Sequence, residues 1–421
     1  MTHPAYKEKM KMNKPVILGG TPIFEKMPDY TAWPRGGEAE LEAILRTLRS
    51  GKWGTEGEES ENFAAAYAKY CHAAYALPVL NGTVSLELIF RALGVGYGDE
   101  VILPPYTFCA SAHAVILSGA YPVFADIDPD TFTLSPASVE NCITPRTKAI
   151  LAVHLGGRPC DMDALGAIAK KHGLYLIEDA AHAHGSEWRG KRTGSLGTAG
   201  SFSFQASKNI SCGEGGAITT DDPLLFEKLR QFAGANAEDG SFVFPATKAL
   251  LPQWQCALLL ARMQRLDGDI EKRMENAAYL DRELGKLPFY LPLKQDERIT
   301  RNSLHLYCFR YLEEEISGLP RALFLKAMRA DMEYQVGSGY SSPLYQMEMF
   351  ETEDFARLTG KTFADPSASL PGNELIARKE GCWMSHSTLL GPKSDMDKIV
   401  EIFARIAAFA DEIKKAEEKK A

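Results

Sequence analysis

With 421 residues, 45% of them hydrophobic and 24% charged, the chain is too long for one ordinary core and too apolar for general disorder. Two domains, or one large α/β unit with an appendage, are expected. A net charge of −8 without a basic patch argues against nucleic acid as the main partner, and leaves room for a local small-anion site.

The N-terminal stretch MTHPAYKEKMKMNKPVILGG is charged and lacks the apolar core of a signal peptide. No apolar run approaches the roughly 18 residues of a membrane span. Eight cysteines are scattered, none in a C-x-x-C pair, which predicts free thiols in a reducing compartment and no zinc or redox motif of that kind. The cytoplasm is the expected location, and no metal site is expected.

The spacing of Leu41, Leu45 and Leu48 predicts a helix within Gly37–Gly51, stopped by Gly51. From Ala76 short apolar runs alternate with helical stretches. ALPVL precedes NGTVSLELIFRALGV, DEVILP precedes TFCASAHAVILSG, YPVFADI precedes SPASVENCI, and KAILAVH precedes DMDALGAIAKKHG. LYLIEDA follows. Continuous apolar runs indicate strands buried on both faces, hence an α/β fold with a mainly parallel sheet. Trp254–Leu287 reads as one long helix, or two with a kink near Gly268, bridging to a smaller α+β domain from Phe289 onward. The closing DEIKKAEEKKA reads as a charged helix end. The division is 1–60 as an N-terminal segment near the substrate entrance, 61–265 as the large domain and 266–421 as the small one.

In such sheets ligands bind beyond the carboxyl ends of the strands. Four sets of residues stand there: Gly82 and Thr83; Tyr106 and Phe108; Asp179 with His182 and His184; and Lys208. The Asn-Gly-Thr helix start offers backbone N–H groups to a phosphate, although it also reads as a simple N-cap. Asp179 reads as an N-cap or as a partner for a cation. Lys208, in FSFQASKNISCGEGG, reads as a turn lysine or as one that bonds a carbonyl cofactor. GEGG is not followed by Gly-Lys-Ser/Thr, and no G-x-G-x-x-G opens a helix, so neither a P-loop nor a dinucleotide site is supported. His154 reads as a rim or structural residue. Pyridoxal phosphate needs an acid for its pyridine nitrogen, a lysine, a phosphate anchor and a flat clamp. Asp179, Lys208, the Gly82–Thr83 turn with Ser203, and Phe108 or His182 are candidates for those roles.

The strings NGTVSLELIFRALGVGYGDEVILPPYTF, GAYPVFADID, LIEDAAHAHGS and GSFSFQASKNISCGEGGAITT resemble the DegT/DnrJ/StrS family of sugar and cyclitol aminotransferases, from about Gly19 to Ala407. SGKWGTEGEESENFAAAYAKY and HSTLLGPKSDMDKIVEIFARI fit the same pattern. The resemblance implies a fold-type-I pyridoxal-phosphate transferase, a homodimer with active sites at the subunit interface, and transfer of an amino group from glutamate or glutamine to a keto-sugar, cyclitol ketone or related ring. It implies Lys208 as the Schiff-base lysine, Asp179 as the pyridinium partner, and Phe108 as the stacking aromatic. His182 matches a position beside the cofactor's ring hydroxyl, and Gly82, Thr83 and Ser203 match the phosphate contacts.

Two features depart from the family pattern. An Asn-x-Arg motif, whose Asn reaches the partner subunit's phosphate, is replaced by PATKALLPQWQ, where Lys248 falls near the Asn position. The usual Cys-Pro start near LPGNELIARKEG is also altered. The Gln of SFSFQASK and the His of DAAHAHG are more like the scyllo-inosose aminotransferase and aminohydroxybenzoate-synthase branch. Trp53, Tyr340 and His386 sit where the family approaches substrate; Tyr340 also reads as an ordinary loop aromatic and His386 as a satisfied helix-flank histidine. Sugar 3-dehydratases carry His in place of the lysine, so Lys208 argues against them. A dehydrating, aromatising reaction keeps the lysine and stands as an alternative. A non-catalytic sensor on the same fold is the third reading.

Overall fold

The structure, a computed structural model, describes residues 13–237 and 240–419. The start of the stretch read for a leader, and the last two residues of the chain, lie outside the described residues.

The apolar runs form one seven-stranded sheet: β1 (Tyr75–Val79), β2 (Glu100–Leu103), β3 (Tyr121–Phe124), β4 (Thr147–Val153), β5 (Tyr175–Asp179), β6 (Ala199–Ser203) and β7 (Gly216–Thr220). The spatial order is β1-β7-β6-β5-β4-β2-β3, and only β7 runs against its neighbours. β2, β6 and β7 are buried along their whole length. Helices cover both faces, which is why these runs show no polar alternation.

Helices α1 (Glu38–Ser50), α2 (Glu58–Tyr70), α3 (Gly82–Ala92), α4 (Ala110–Leu117) and α5 (Gln253–Leu284) position the site. α3 starts where Asn81 Oδ1 accepts the Val84 N–H at 2.9 Å. α5 is one helix of 32 residues and runs through Gly268 without a break. A Cβ at Gly268 would meet nothing within 4 Å, so the glycine neither bends the helix nor makes room for a neighbour. Burial of the helix on both sides of it outweighs the propensity cost of about 1 kcal/mol. Cys256, Leu259, Leu266 and Ile270 bury against Phe63, Tyr67 and Phe204 below the large sheet. Ala277, Leu280 and Leu284 bury in a second cluster with Phe289, Phe309 and Phe403.

That second cluster underlies a four-stranded antiparallel sheet of β8 (Tyr290–Pro292), β9 (Leu306–Tyr311), β10 (Val336–Gly337) and β11 (Gly381–Ser385), in the order β8-β9-β11-β10. β9 alternates, with Tyr307, Phe309 and Tyr311 turned inward. Residues 344–370 fall within 266–421 in sequence but return to the large unit in space. Leu344, Tyr345, Phe350, Phe355 and Leu370 bury with Phe90, Val101 and Phe124.

α1 forms as the leucine spacing predicts, ending on Gly51 at φ 68°. Its apolar stripe faces away from the chain. Leu41, Leu45 and Leu48 are 50%, 36% and 46% exposed, while Glu40, Ala43 and Thr47 are buried. The helix is seated by polar chemistry: Glu40 pairs with Arg265 at 2.8 Å, and Arg46 with Glu59 at 2.9 Å. All eight cysteines are free. Among the described residues no helix is long and apolar enough to cross a membrane.

Candidate active site

A cleft of about 830 Å³ opens at the carboxyl ends of β1, β2, β5 and β6 and is closed from the other side by residues of β9, Tyr340 and β11. Gly82, Thr83, Phe108, Asp179, His182, Ser203, Lys208, Tyr340 and His386 all line it.

One end is an anion cradle. The α3 cap uses the Asn81 side chain on Val84, which leaves the N–H groups of Gly82 and Thr83 without a partner inside the helix. Together with the positive end of the helix dipole they suit a phosphate. The strand ends are pressed against this turn. A Cβ on Gly82 would sit 3.0 Å from Ser203 Cβ, and one on Gly216 would sit 2.6 Å from the Asn81 carbonyl group. Glycine is required at 216, because the obstructing atoms are backbone.

At the centre, β5 ends in two carboxylates with different partners. Glu178 is buried and accepts the N–H groups of Gly194, Leu196 and Gly197 at 2.7–2.9 Å, with His154 Nε2 at 3.0 Å. It fastens the loop before β6. Asp179 turns into the cleft, accepting Ser111 Oγ at 2.8 Å and the Ala181 N–H at 3.2 Å. No helix follows it, so it is not an N-cap. Burial raises its pKa, against the Ser111 and Ala181 bonds and the charge of Lys208. A cation held at this carboxylate would offset that cost.

Lys208 lies on the loop between β6 and β7 and is half-buried. Among the described residues its Nζ makes no hydrogen bond or ion pair. Burial pulls its pKa from 10.5 down to about 8, against the attraction of Asp179. The lowered pKa and the lack of a partner make it easier to reach the neutral amine, the form in which lysine acts as a nucleophile.

Three imidazoles stand beside it. His182 and His305 have ring centres 4.2 Å apart, and His305 and His386 5.3 Å apart. Burial lowers the pKa of all three, that of His386 to about 3. Their partners assign the tautomers. The Gly156 N–H donates to His182 Nδ1 at 3.3 Å, which leaves the proton on Nε2. His305 Nδ1 lies 3.2 Å from Asn209 Oδ1 and donates to it. His386 Nε2 donates to the Ser207 carbonyl at 3.0 Å, and its buried Nδ1 has no partner among the described residues, so this residue is only half satisfied there. His184 is structural, bonded by Tyr67 at 2.7 Å and donating to the Ser203 carbonyl at 2.8 Å. His154 is likewise satisfied behind β5, by Glu178 and the Cys160 N–H at 3.1 Å.

Two expected residues do not line this cleft. Trp53 is 57% exposed, with its indole N–H on the Leu48 carbonyl at 3.1 Å. Lys248 is exposed on the extended segment before α5. Tyr106 is buried beneath the site, edge-on to Tyr340 at 5.5 Å. Ser111, His305 and Trp383 line the cleft and were not singled out in the sequence. Trp33, also not singled out, bonds the Lys208 carbonyl at 2.9 Å. His305 opens the run HLYCFRYL and could have been found by reading the start of that strand; Ser111 and Trp33 carry no sequence signal.

The donor set fits pyridoxal phosphate on the chain's own features: free N–H groups at a glycine-lined helix start, a buried carboxylate, and an unpaired amine of lowered pKa. Residues 34–377 match the profile of the DegT/DnrJ/EryC1/StrS aminotransferase family. The chain belongs to this family. It is 36% identical over 412 residues to the L-glutamine:2-deoxy-scyllo-inosose aminotransferase of Micromonospora echinospora, covering 93% of this chain and 97% of that protein. Crystalline 3-amino-5-hydroxybenzoic acid (AHBA) synthase is similar at 33% identity and a TM-score of 0.80, covering 90% of this chain and 98% of the other. DesI, solved in the presence of its TDP-sugar product, is 30% identical with a TM-score of 0.82, covering 96% and 98%. The chain is therefore an enzyme with the fold-type-I architecture that its sequence resemblance implied, and the sensor reading falls away.

Proposed function

We propose that this aminotransferase uses pyridoxal phosphate, takes the α-amino group of L-glutamine and delivers it to a neutral, polyhydroxylated cyclic ketone of the 2-deoxy-scyllo-inosose type. The observation that carries the reading is the meeting of Lys208 and Asp179 in one cleft with the free N-terminus of α3. Bound pyridoxal phosphate supplies an aldehyde that takes up the donor's amine and a ring that accepts the electrons released with its α-proton. Gly82 and Thr83 hold the phosphate through their N–H groups, with Ser203 beside them. Asp179, oriented by Ser111, holds a proton on the pyridine nitrogen. His182 would offer its Nε2–H to the ring hydroxyl, and Phe108 would cover the ring. Lys208 Nζ would hold the aldehyde and, as a free amine, would serve as the base and acid that moves the α-proton of donor and acceptor.

The acceptor's class is argued from charge. Among the described residues the lining contains no arginine and no lysine besides Lys208, but includes Glu87 and Glu214. A sugar diphosphate calls for cationic forks. A neutral polyol needs acceptors for its hydroxyls, and the unpartnered His386 Nδ1 is one. Tyr340 and Trp383, edge to face at 5.1 Å, form an apolar wall for a ring. The relative's name supports the same donor and acceptor. The likeness to AHBA synthase supports a second reading, loss of water with aromatisation in the same cleft.

We infer a homodimer in which a second copy covers the exposed stripe Leu41, Leu45 and Leu48 with Trp53 beside it, and in which Trp53 and Lys248 serve the partner's cleft; the exposure of the stripe supports this reading. Eight free thiols agree with a cytoplasmic setting. The functional test is incubation with α-¹⁵N-L-glutamine and 2-deoxy-scyllo-inosose. Label in an aminocyclitol supports the reading. Label retained in glutamine, with water lost from the acceptor, supports the aromatising one.

A further inference from the structure

Lys208 sits on a loop that belongs to neither helix nor sheet, between Ser203 and Gly216. The carbonyls flanking its Cα are each held by an aromatic N–H from a remote part of the chain. His386 Nε2 donates to the Ser207 carbonyl at 3.0 Å. Trp33 Nε1 donates to the Lys208 carbonyl at 2.9 Å. The two rings meet edge to face, with centres 4.6 Å apart and planes at 89°. The next residue, Asn209, is buried and held by the Ser303 carbonyl at 2.9 Å and by His305 at 3.2 Å.

Trp33 is itself fixed. The Arg35 and Arg262 guanidiniums lie 5.7 and 5.5 Å from its ring centre. Arg262 and Arg265 on α5 donate to the Arg35 carbonyl at 3.0 and 2.7 Å, tying this N-terminal strap to the long helix. Trp33 does not line the cleft, so it acts on the site only through what it touches, the Lys208 backbone and the His386 ring.

We propose that Trp33 is a positioning residue for Lys208, fixing through its indole N–H the backbone from which the amine reaches the reacting carbon. The proposal rests on the reading of Lys208 given above. A lysine side chain has four rotatable bonds, and a base must stand within hydrogen-bond reach of the proton it removes. Fixing the Cα leaves only the side chain to search. A misplacement of about 1 Å at a reacting group costs on the order of a hundredfold in rate. The strap thus makes a segment far from the chemistry part of the apparatus for proton transfer.

The test uses the holoenzyme with Trp33→Phe, and with benzothienylalanine at position 33, which keeps the bicyclic shape and removes only the N–H. Bound pyridoxal phosphate is counted by its visible absorption. Its induced circular dichroism is recorded, and its reaction with L-glutamine or L-glutamate, whichever the wild type accepts, is followed with protiated and α-deuterated donor. The expected result is full cofactor retention, a half-saturating donor concentration within about twofold of wild type, a limiting rate lower by about ten- to a hundredfold, and a larger deuterium isotope effect. The induced dichroism per bound cofactor changes as well. Unchanged rate, isotope effect and dichroism in both variants overturn the proposal, as does loss of cofactor from both, which would make Trp33 merely structural. A wild type that does not bind pyridoxal phosphate through Lys208 overturns the reading of the lysine instead.

Discussion

Ser111 Oγ donates to Asp179 Oδ2 at 2.8 Å, turning the carboxylate at the end of β5 into the cleft, while Glu178 beside it is bonded away behind the sheet. The two acids therefore fail differently. Glu178→Ala leaves three N–H groups, one buried and two partly buried, and the buried His154 without their acceptor. It lowers stability by about 3–5 kcal/mol, read as a fall in denaturation midpoint. Asp179→Asn costs little stability and lowers turnover by at least about a hundredfold. Ser111→Ala, which removes one hydrogen bond of about 1 kcal/mol, lowers turnover about fivefold. Equal loss of stability in Glu178→Ala and Asp179→Asn contradicts the assignment.

The lowered pKa of Lys208 has a consequence for stability before any cofactor binds. The amine keeps its proton up to 10.5 in the unfolded chain but only to about 8 in the folded one. Between those values the unfolded state binds more protons, so stability rises with pH across the window, and below about 8 the full penalty is present. Cofactor-free Lys208→Met accordingly unfolds at a higher temperature than wild type at pH 7, and the gap closes toward pH 10.5. Calorimetry across that range checks it; a variant no more stable than wild type at pH 7 means that the lysine is not held at a cost.

Gly216 and Gly268 make a matched pair. Gly216→Ala drives a methyl group into the Asn81 backbone and displaces the helix start proposed to hold the phosphate. Affinity for pyridoxal phosphate falls by at least about tenfold. Gly268→Ala meets open space in the middle of α5 and stabilises by about 0.5–1 kcal/mol with binding unchanged. Fluorescence titration with the cofactor and thermal unfolding separate the two.

The outward stripe of α1 is tested by Leu45→Glu. Sedimentation of wild type is expected to give a dimer, and the variant shifts toward monomer with a lower content of bound cofactor. A monomeric wild type removes the basis for the shared site.

The sequence made the ends of the strands legible, because continuous apolar runs mark buried parallel strands and the next residues must lie at their rim. Asp179, Lys208 and the Gly82–Thr83 turn were found that way. Nothing in LYLIEDA separates Glu178 from Asp179, since which acid faces the cleft depends on where the loop 194–197 supplies N–H groups. Ser111 becomes a ligand of Asp179 only through the seating of α4 beside β5. Trp33, His305 and His386 converge on the lysine loop from segments far apart in the chain, beyond the reach of local patterns. Leucine spacing predicted α1 but not its direction, because Glu40 and Arg265 decide which face is buried. At Gly268 the sequence left one helix or two with a kink open, and packing along the whole of α5 keeps it one.

The central claim is that Lys208 is the residue that bonds pyridoxal phosphate. Borohydride reduction of the loaded enzyme, followed by peptide mass spectrometry, tests it most directly. A single pyridoxyl group on the peptide containing Lys208, absent from Lys208→Ala and absent from wild type reduced after amino-donor treatment, is expected. An adduct on another lysine, or none in the loaded wild type, would contradict it.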